Sequence, residues 1–291
     1  MRILVTGASG MIGSYLVKEL IRAGHDVVGL DRSKSEETQE HYEYKRIDLQ
    51  DIKDIRVVFD EYQKKDSRID RIIHLAALAH TERGRKYTYE DYYRINVECA
   101  KNIFIISGEF STPILFISTV DVYGFTNGTI NANSPLNPIT YYGRSKAEGE
   151  RVLQHVCEKN SNQYTIFRFS PVYTKSVKRD IQKRYYLKYP TIAYMIGCGM
   201  EYEVLSIDNA IQAMVKWVEE NPENTIRIIK DPLRMNTAIC IRKEKRERRA
   251  KIVIRFPYFL VQFGYMLLLK ITGENKYTYL LNKALHPLRS I

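Results

Sequence analysis

The opening residues constrain this chain more than any other stretch. A short apolar run, Arg2-Ile-Leu-Val-Thr6, passes through glycines at positions 7, 10 and 13 into an amphipathic helical pattern from Met11 to Ala23. A strand that turns so tightly into a helix aims the free N–H groups of that helix just beyond the strand end. Gly7 permits the turn, Gly10 lets the backbone approach an anion, and Gly13 lets helix and strand pack closely, while the helix dipole favours negative charge. A pyrophosphate fits such a place. The spacing is Gly-x-x-Gly-x-x-Gly rather than Gly-x-Gly-x-x-Gly. A second strand-like run, Asp26 to Leu30, ends in Asp31, where a carboxylate receives a ribose 2′-hydroxyl and repels a 2′-phosphate. This predicts NAD(H) as the cofactor. Arg32 is the residue that would receive the 2′-phosphate of the alternative, NADP(H).

The rest of the chain alternates short apolar strands with longer amphipathic stretches. Strands are expected near 2–6, 26–30, 43–47, 69–75, 113–118 and 164–168, and helices near 11–23, 51–65, 89–109 and 142–160. Such alternation predicts an α/β fold, a doubly wound parallel sheet (Rossmann) with a small C-terminal substrate lobe. Residues 1–170 would form the dinucleotide-binding domain with the catalytic residues. Residues 171–291 would mix final strands with a substrate-binding lobe and C-terminal helices. In a doubly wound sheet the ligand lies at the carboxyl ends of the strands, and the motifs described here fall at or just beyond such ends. Cys99, Cys157, Cys198 and Cys240 are far apart, with no Cys-x-x-Cys pair and no histidine cluster, so free thiols and no metal are expected. The chain opens directly into its first strand, without the pattern of a secretory signal, and a cytoplasmic location is expected.

The formal net charge is +11, and nearly half of it resides in one run, Arg242 to Lys251, with seven basic and two acidic residues. No aromatic residue interleaves the run and no nucleic-acid motif accompanies it, so it reads as a solvated face rather than a nucleic-acid site. A positive field also gathers anionic substrates. The stretch from Ile252 to Ile271 is strongly apolar, but Arg255, Pro257 and Lys270 leave about a dozen uninterrupted residues, short of the roughly 20 that a spanning helix needs. A packed C-terminal helix is the expectation here. Peripheral docking of the basic run and the helix on an anionic membrane is the lesser alternative.

Tyr142 and Lys146 stand at i and i+4, one turn apart on one face of a helix. An ammonium that close favours the phenolate, which begins near pKa 10 and must fall toward the working pH to act as a general base. Spacing alone does not single them out, because Tyr279 also has a lysine four residues on, at Lys283. Place does: Tyr142 opens its helix after a Pro/Asn-rich loop, Ser134-Pro-Leu-Asn-Pro138, and follows Thr119 at the end of the strand Ile114-Leu-Phe-Ile-Ser118. Thr119 would share the substrate oxygen with Tyr142.

With these residues assembled, the chain resembles the extended short-chain dehydrogenase/reductase family, the group of NAD-dependent nucleotide-sugar epimerases, dehydratases and reductases. The resemblance runs from Met1 to about Met214. Its most specific parts are Thr6 to Gly13, His74-Leu-Ala-Ala77, Asn96-Val97, Ser118 to Gly124 and Tyr142 to Glu150. It implies that Thr119, Tyr142 and Lys146 are the catalytic trio. It further implies that Gly7, Gly10, Met11, Ile12 and Gly13 cradle the pyrophosphate, Asp31 the adenosine ribose, and Asp48 and Leu49 the adenine. Ala76 and Asn96 would line the inner half of the cofactor, with Lys146 also bonding the nicotinamide ribose. Within the family the likeness is greatest to enzymes of UDP-sugar metabolism in surface-polysaccharide pathways, often homodimers through the helices flanking the catalytic one.

The departures narrow the reading. Dehydratases of the family place Asp-Glu after the catalytic threonine, whereas this chain has Val120-Asp121, which disfavours 4,6-dehydration. Thr174 replaces a glycine that commonly starts the substrate lobe, and Ser170 stands near an asparagine that contacts the sugar nucleotide in epimerases. The arginine that commonly binds the diphosphate is not identifiable; Lys175, Lys178, Arg179, Lys183 and Arg184 are the candidates. A UDP-sugar 4-epimerase is therefore expected, with an NAD(P)H-dependent 4-keto-sugar reductase as the alternative. A nonenzymatic dinucleotide-binding regulator is the rival of another class, and the complete trio argues against it.

Overall fold

The computed structural model describes residues 1–33, 39–64, 67–79, 86–126, 129–175 and 179–291. Strands β1 (Arg2–Thr6), β2 (Asp26–Asp31), β3 (Tyr42–Arg46), β4 (Arg71–His74), β5 (Ile114–Thr119) and β6 (Tyr164–Phe169) alternate with helices α1 (Met11–Arg22), α2 (Ile52–Lys64), α3 (Cys99–Glu109) and α4 (Tyr141–Lys159). The chain then leaves the sheet for β7 (Ile192–Ile196), returns through α5 (Ile207–Glu219) to β8 (Thr225–Ile229), and ends in α6 (Thr237–Arg246), β9 (Ile252–Phe256), α7 (Tyr258–Thr272) and α8 (Lys276–Leu285).

The main sheet is parallel throughout, in the order β8-β6-β5-β4-β1-β2-β3. Its central strands are unbroken apolar runs because both faces are covered. Alternate residues of one strand enter two different cores. Leu4, Val28, Ile72 and Phe116 meet α2, α3 and α4 on one face, whereas Ile3, Val5, Val27, Ile73 and Leu115 meet α1 and α5 on the other. The strand order reverses between β1 and β4, so a crevice opens at their carboxyl ends. Residues 207–229 belong to this sheet unit through α5 and β8. The lobe is consequently built from two separate stretches, one before α5 and one after β8, around a core of Tyr185, Tyr186, Ala193, Tyr202 and Ile241.

The C-terminal helix departs from expectation. Of α7 only Tyr265 is buried, and its one packed face rests on Ile196 and Leu285 while the opposite face has no cover. The cause is sequence chemistry: α7 is apolar all round, and α8 and the lobe supply neighbours on one side only. Among the described residues no helix is long and apolar enough to cross a membrane.

One buried ion pair fastens α4 to the sheet. Glu150 of α4 meets Arg168 of β6 at 2.7 Å, with side-chain exposures of 2% and 3%. Ser118, the in-register neighbour of Arg168 on β5, donates its hydroxyl to the same carboxylate. Arg168 also donates to the Tyr123 hydroxyl and the Ala132 carbonyl, both at 2.7 Å. Removing one member leaves the other charged and unpaired in the interior. Glu150→Gln should cost about 3–5 kcal/mol, and the double change Glu150→Met/Arg168→Met should recover most of that loss. Urea denaturation measures both; a loss below about 1 kcal/mol for the single variant would contradict the role assigned to the pair.

Candidate active site

The glycine turn is as tight as its sequence predicts. A Cβ on Gly7, which has φ +70°, would lie 2.8 Å from the Ala76 nitrogen, and one on Gly13 would lie 2.2 Å from the Gly7 carbonyl. β1, α1 and the β4 exit are thus in backbone contact. At Gly10 a Cβ would press to 3.1 Å from the Gly7 carbonyl, and Gly10, as the N-cap of α1, offers no side chain to its first turn. The amide donors of that turn, from Met11, Ile12 and Gly13, therefore remain available to an anion at the end of the helix dipole.

From this turn a cleft of about 370 Å³ runs along the strand ends. Gly7, Ser9, Gly10, Asp31, Arg32, Asp48, Leu49 and Ala76 line it. Asp31 is held toward Ser9 and Ser33, whose amides donate to its two oxygens at 3.2 and 3.1 Å. Asp48 is exposed and Leu49 buried, giving the cleft one polar and one apolar wall at this end. These residues fit a dinucleotide: free helix-terminal donors for the pyrophosphate, a carboxylate for a ribose diol and an apolar slot for an adenine.

Asn96 is held in the interior as a brace. It is buried and does not line the described cleft; its carboxamide accepts from the Leu78 amide at 2.7 Å and donates to the Leu78 carbonyl and to the Ser145 hydroxyl. It joins the β4 exit, which forms one wall of the cleft, to α4. The helical turn Arg94–Glu98 is wound as a π-helix, a local irregularity common at functional sites.

Thr119 closes β5, half-buried, with its hydroxyl oxygen accepting from the Asp121 amide at 3.2 Å, which leaves its own O–H to donate. α4 starts against the turn that follows. Thr140 caps it by accepting from the Gly143 amide at 2.9 Å, and a Cβ on Gly143 would lie 2.7 Å from the Asp121 carbonyl. This close approach brings Tyr142, in the first turn of α4, to the end of β5 that carries Thr119.

One turn on, Lys146 is 2% exposed, with Nζ 4.2 Å above the Phe116 ring. Burial holds its ammonium down to about 7, partly offset by Glu150. His74 stacks on the same ring, Phe116, and is neutral: burial, then Lys146, pushes it down to about 3. Its Nδ1 bonds the Thr6 hydroxyl at 2.8 Å.

A second, smaller cavity of about 30 Å³ lies beside Val120 and Asp121 on the lobe side, lined also by Ser170, Arg184, Tyr279 and Lys283. Ser170 is 1% exposed, and its hydroxyl has no partner among the described residues. Of the five basic candidates for a diphosphate, Arg184 reaches this cavity, stacked 4.4 Å over Tyr202. Lys175 and Lys183 are exposed, Lys178 lies outside the described residues, and the Arg179 side chain is likewise not described. The Tyr279/Lys283 pair also comes here: Lys283 meets Asp121 at 2.6 Å, and Tyr279 packs edge-on against Phe125. Sequence spacing carried no sign of this contact.

A chain with this arrangement is a dinucleotide-dependent enzyme of the Rossmann class in its fold and site. The family model of the NAD dependent epimerase/dehydratase family matches residues 3–227. The chain belongs to that family. The UDP-glucose epimerase YtcB of Bacillus subtilis, itself uncharacterized, is 29% identical over 191 residues, 62% of this chain and 60% of that protein. The N-acetyl-alpha-D-glucosaminyl-diphospho-ditrans,octacis-undecaprenol 4-epimerase of Escherichia coli O157:H7 is 24% identical over 94% of this chain and 81% of that protein. A UDP-glucose 4-epimerase of Lactobacillus helveticus matches over 51% of its length, so the chain spans only half to three-fifths of some curated relatives. In fold, the chain is similar to UDP-glucuronic acid 4-epimerase from Bacillus cereus, solved with NAD, at TM-score 0.69 and 20% identity, covering 88% and 87% of the two chains.

The buried lysine gives a stability test. Its native form favours neutrality while its unfolded form keeps the ordinary value of 10.5. Below pH 7 both states carry the proton and the native state bears the full cost of the buried charge; the cost falls as pH rises toward 10.5. In the nucleotide-free protein, Lys146→Met should therefore raise stability by on the order of 1–4 kcal/mol at pH 6, a gain that shrinks as pH rises. Urea midpoints at several pH values check this. A variant destabilised at pH 6 would contradict it.

Proposed function

We propose that the protein is an NAD-dependent C4 epimerase acting on a nucleotide sugar, most closely a UDP-sugar, in surface-polysaccharide biosynthesis. What supports the reading is that Thr119 ends β5 against the start of α4, which carries Tyr142 and the buried Lys146, together with a cleft of about 370 Å³ lined by the glycine turn and Asp31.

The chemistry follows from these groups. NAD, when bound, accepts the hydride from the sugar C4 and later returns it. Tyr142 removes the proton of the 4-hydroxyl, and Thr119 donates a hydrogen bond to the same oxygen, leaving a 4-keto sugar. Lys146 supplies the nearby positive charge that lowers the tyrosine pKa, and it would hold the nicotinamide ribose of a bound NAD. Return of the hydride to the other face of the keto sugar, with Tyr142 giving its proton back, completes the inversion. Arg184, beside Ser170, is the cation assigned to the diphosphate. Val120 and an Asp121 already engaged by Lys283 support inversion over loss of water. A homodimer through the helices around α4 is part of the same reading, supported by the exposed rings of Tyr93 and Tyr141, which pack on the half-buried Tyr89.

A second reading keeps the chemistry and changes the handle on the sugar from a nucleotide to a polyprenol diphosphate. What favours it is the match to the Escherichia coli undecaprenol-linked epimerase, which extends over 94% of this chain and so includes part of the C-terminal segment.

Proton NMR of the protein with catalytic NAD⁺ and UDP-glucose, UDP-galactose or their N-acetyl forms should reveal the C4 epimer without added reductant. Tyr142→Phe should lower turnover by at least about a thousandfold while leaving NAD⁺ affinity nearly intact; a variant at the wild-type rate would overturn the assignment. Asp31→Ala should weaken the preference for NAD⁺ over NADP⁺ by about tenfold or more. An unchanged affinity ratio would mean that the ribose lies elsewhere.

A further inference from the structure

Among the described residues, 12 of the 23 exposed large apolar side chains lie in residues 252–280, so the exposure is local rather than general. On α7 they follow helical spacing. Phe259, Phe263 and Met266, each 59% exposed or more, form one stripe that ends at Lys270, with Leu260, Leu267 and Ile271 beside it. On β9, Ile252, Ile254 and Phe256 share one face of the strand and are all exposed. An uncovered apolar surface of this kind is an interaction site.

The shape of the surface restricts its partner. α7 has 15 residues, about 22 Å of helix, too short for the roughly 30 Å of a hydrocarbon core. It is anchored from behind by Tyr265, Val261 and Leu269 and presents a convex apolar face, not a groove for a peptide. Charge restricts it further. Residues 242–291 hold twelve Lys and Arg against three Glu and no Asp, +9 of the net +11. Lys251 and Arg255 precede the apolar stripe, Lys270 and Lys276 follow it, and all four are exposed. A second copy of this face would set like charges against each other, whereas an anionic bilayer satisfies both the apolar stripe and the cations.

We propose that α7 and the outer face of β9 dock on an anionic lipid bilayer. The apolar stripe enters the boundary between headgroups and acyl chains, and the lysines extend to the phosphates. The docking helix is one layer from the chemistry: the Tyr265 hydroxyl accepts from Asn282 of α8 at 3.1 Å, and Asn282, Tyr279 and Lys283 line the cavity beside Asp121. Docking therefore sets the substrate side of the enzyme against the membrane, whether the sugar carries a nucleotide or a polyprenol.

Vesicle co-sedimentation of the full chain tests this without reference to turnover. The protein should pellet with phosphatidylglycerol-containing vesicles, more weakly with pure phosphatidylcholine, and release as salt rises. Phe263→Glu, at an outward position, should lower partitioning at least about tenfold; Lys270→Glu should reduce the preference for anionic lipid while circular dichroism and urea midpoints stay unchanged. Retention in the supernatant with every vesicle, or equal binding to both lipids, would overturn the proposal. So would a dimer in sedimentation velocity that Phe263→Glu dissociates without any vesicle binding, since the face would then meet a second copy.

Discussion

The site depends on how α4 is fixed to the sheet. The tyrosine and lysine proposed as catalytic, one turn apart, are useful only if their helix sits at a set depth over the strand end that carries Thr119. The pairing of Glu150 with Arg168 and Ser118 provides that depth, tying the third turn of α4 to β5 and β6 in the interior. Gly143 provides the approach at the helix start, where a methyl group would strike the Asp121 backbone. A helix held at those two points leaves Tyr142 and Lys146 little freedom. A buried ion pair contributes little net stability, because desolvation offsets attraction, but a misaligned one is costly, so it selects one arrangement.

The electrostatics run in a consistent direction. Phe116, Phe104 and the sheet exclude water from Lys146 and His74, and the lysine prefers to be neutral there until a compensating group arrives. His74 cannot share that burden, since it is neutral and bonded to Thr6. The positive charge needed to lower a tyrosine pKa is thus stored at some cost to folding, as expected where a site is organised for chemistry rather than stability. Asn96 links this region to the cleft through Leu78 and Ser145, bracing the cleft wall against α4.

The first six strands and their helices were legible because central parallel strands must be apolar on both faces and their helices on one. The glycines were legible because backbone contact leaves no alternative: at Gly7 and Gly13 any side chain collides. Less was readable beyond Arg168. β8 is a short, half-buried edge strand, Thr225–Ile229, which returns to the sheet from a lobe, and a local pattern cannot announce that return. Asn96 was identifiable as important but not as a brace, because its partners are 18 and 49 residues away. Lys283 lies 162 residues from Asp121, and its spacing to Tyr279 looked like any other pair. The apolar character of α7 was plain in the sequence, whereas its lack of cover followed only from the position of its neighbours.

The central claim is that a hydride leaves C4 and comes back to the same carbon while Tyr142 handles the hydroxyl proton. A UDP-hexose deuterated at C4, incubated with the protein and catalytic NAD⁺ and followed by NMR and mass spectrometry, addresses it directly. The account predicts that the epimer forms with deuterium still at C4 and with no accumulation of NADH. Loss of the label to solvent, or retention of configuration with net reduction of NAD⁺, would contradict it.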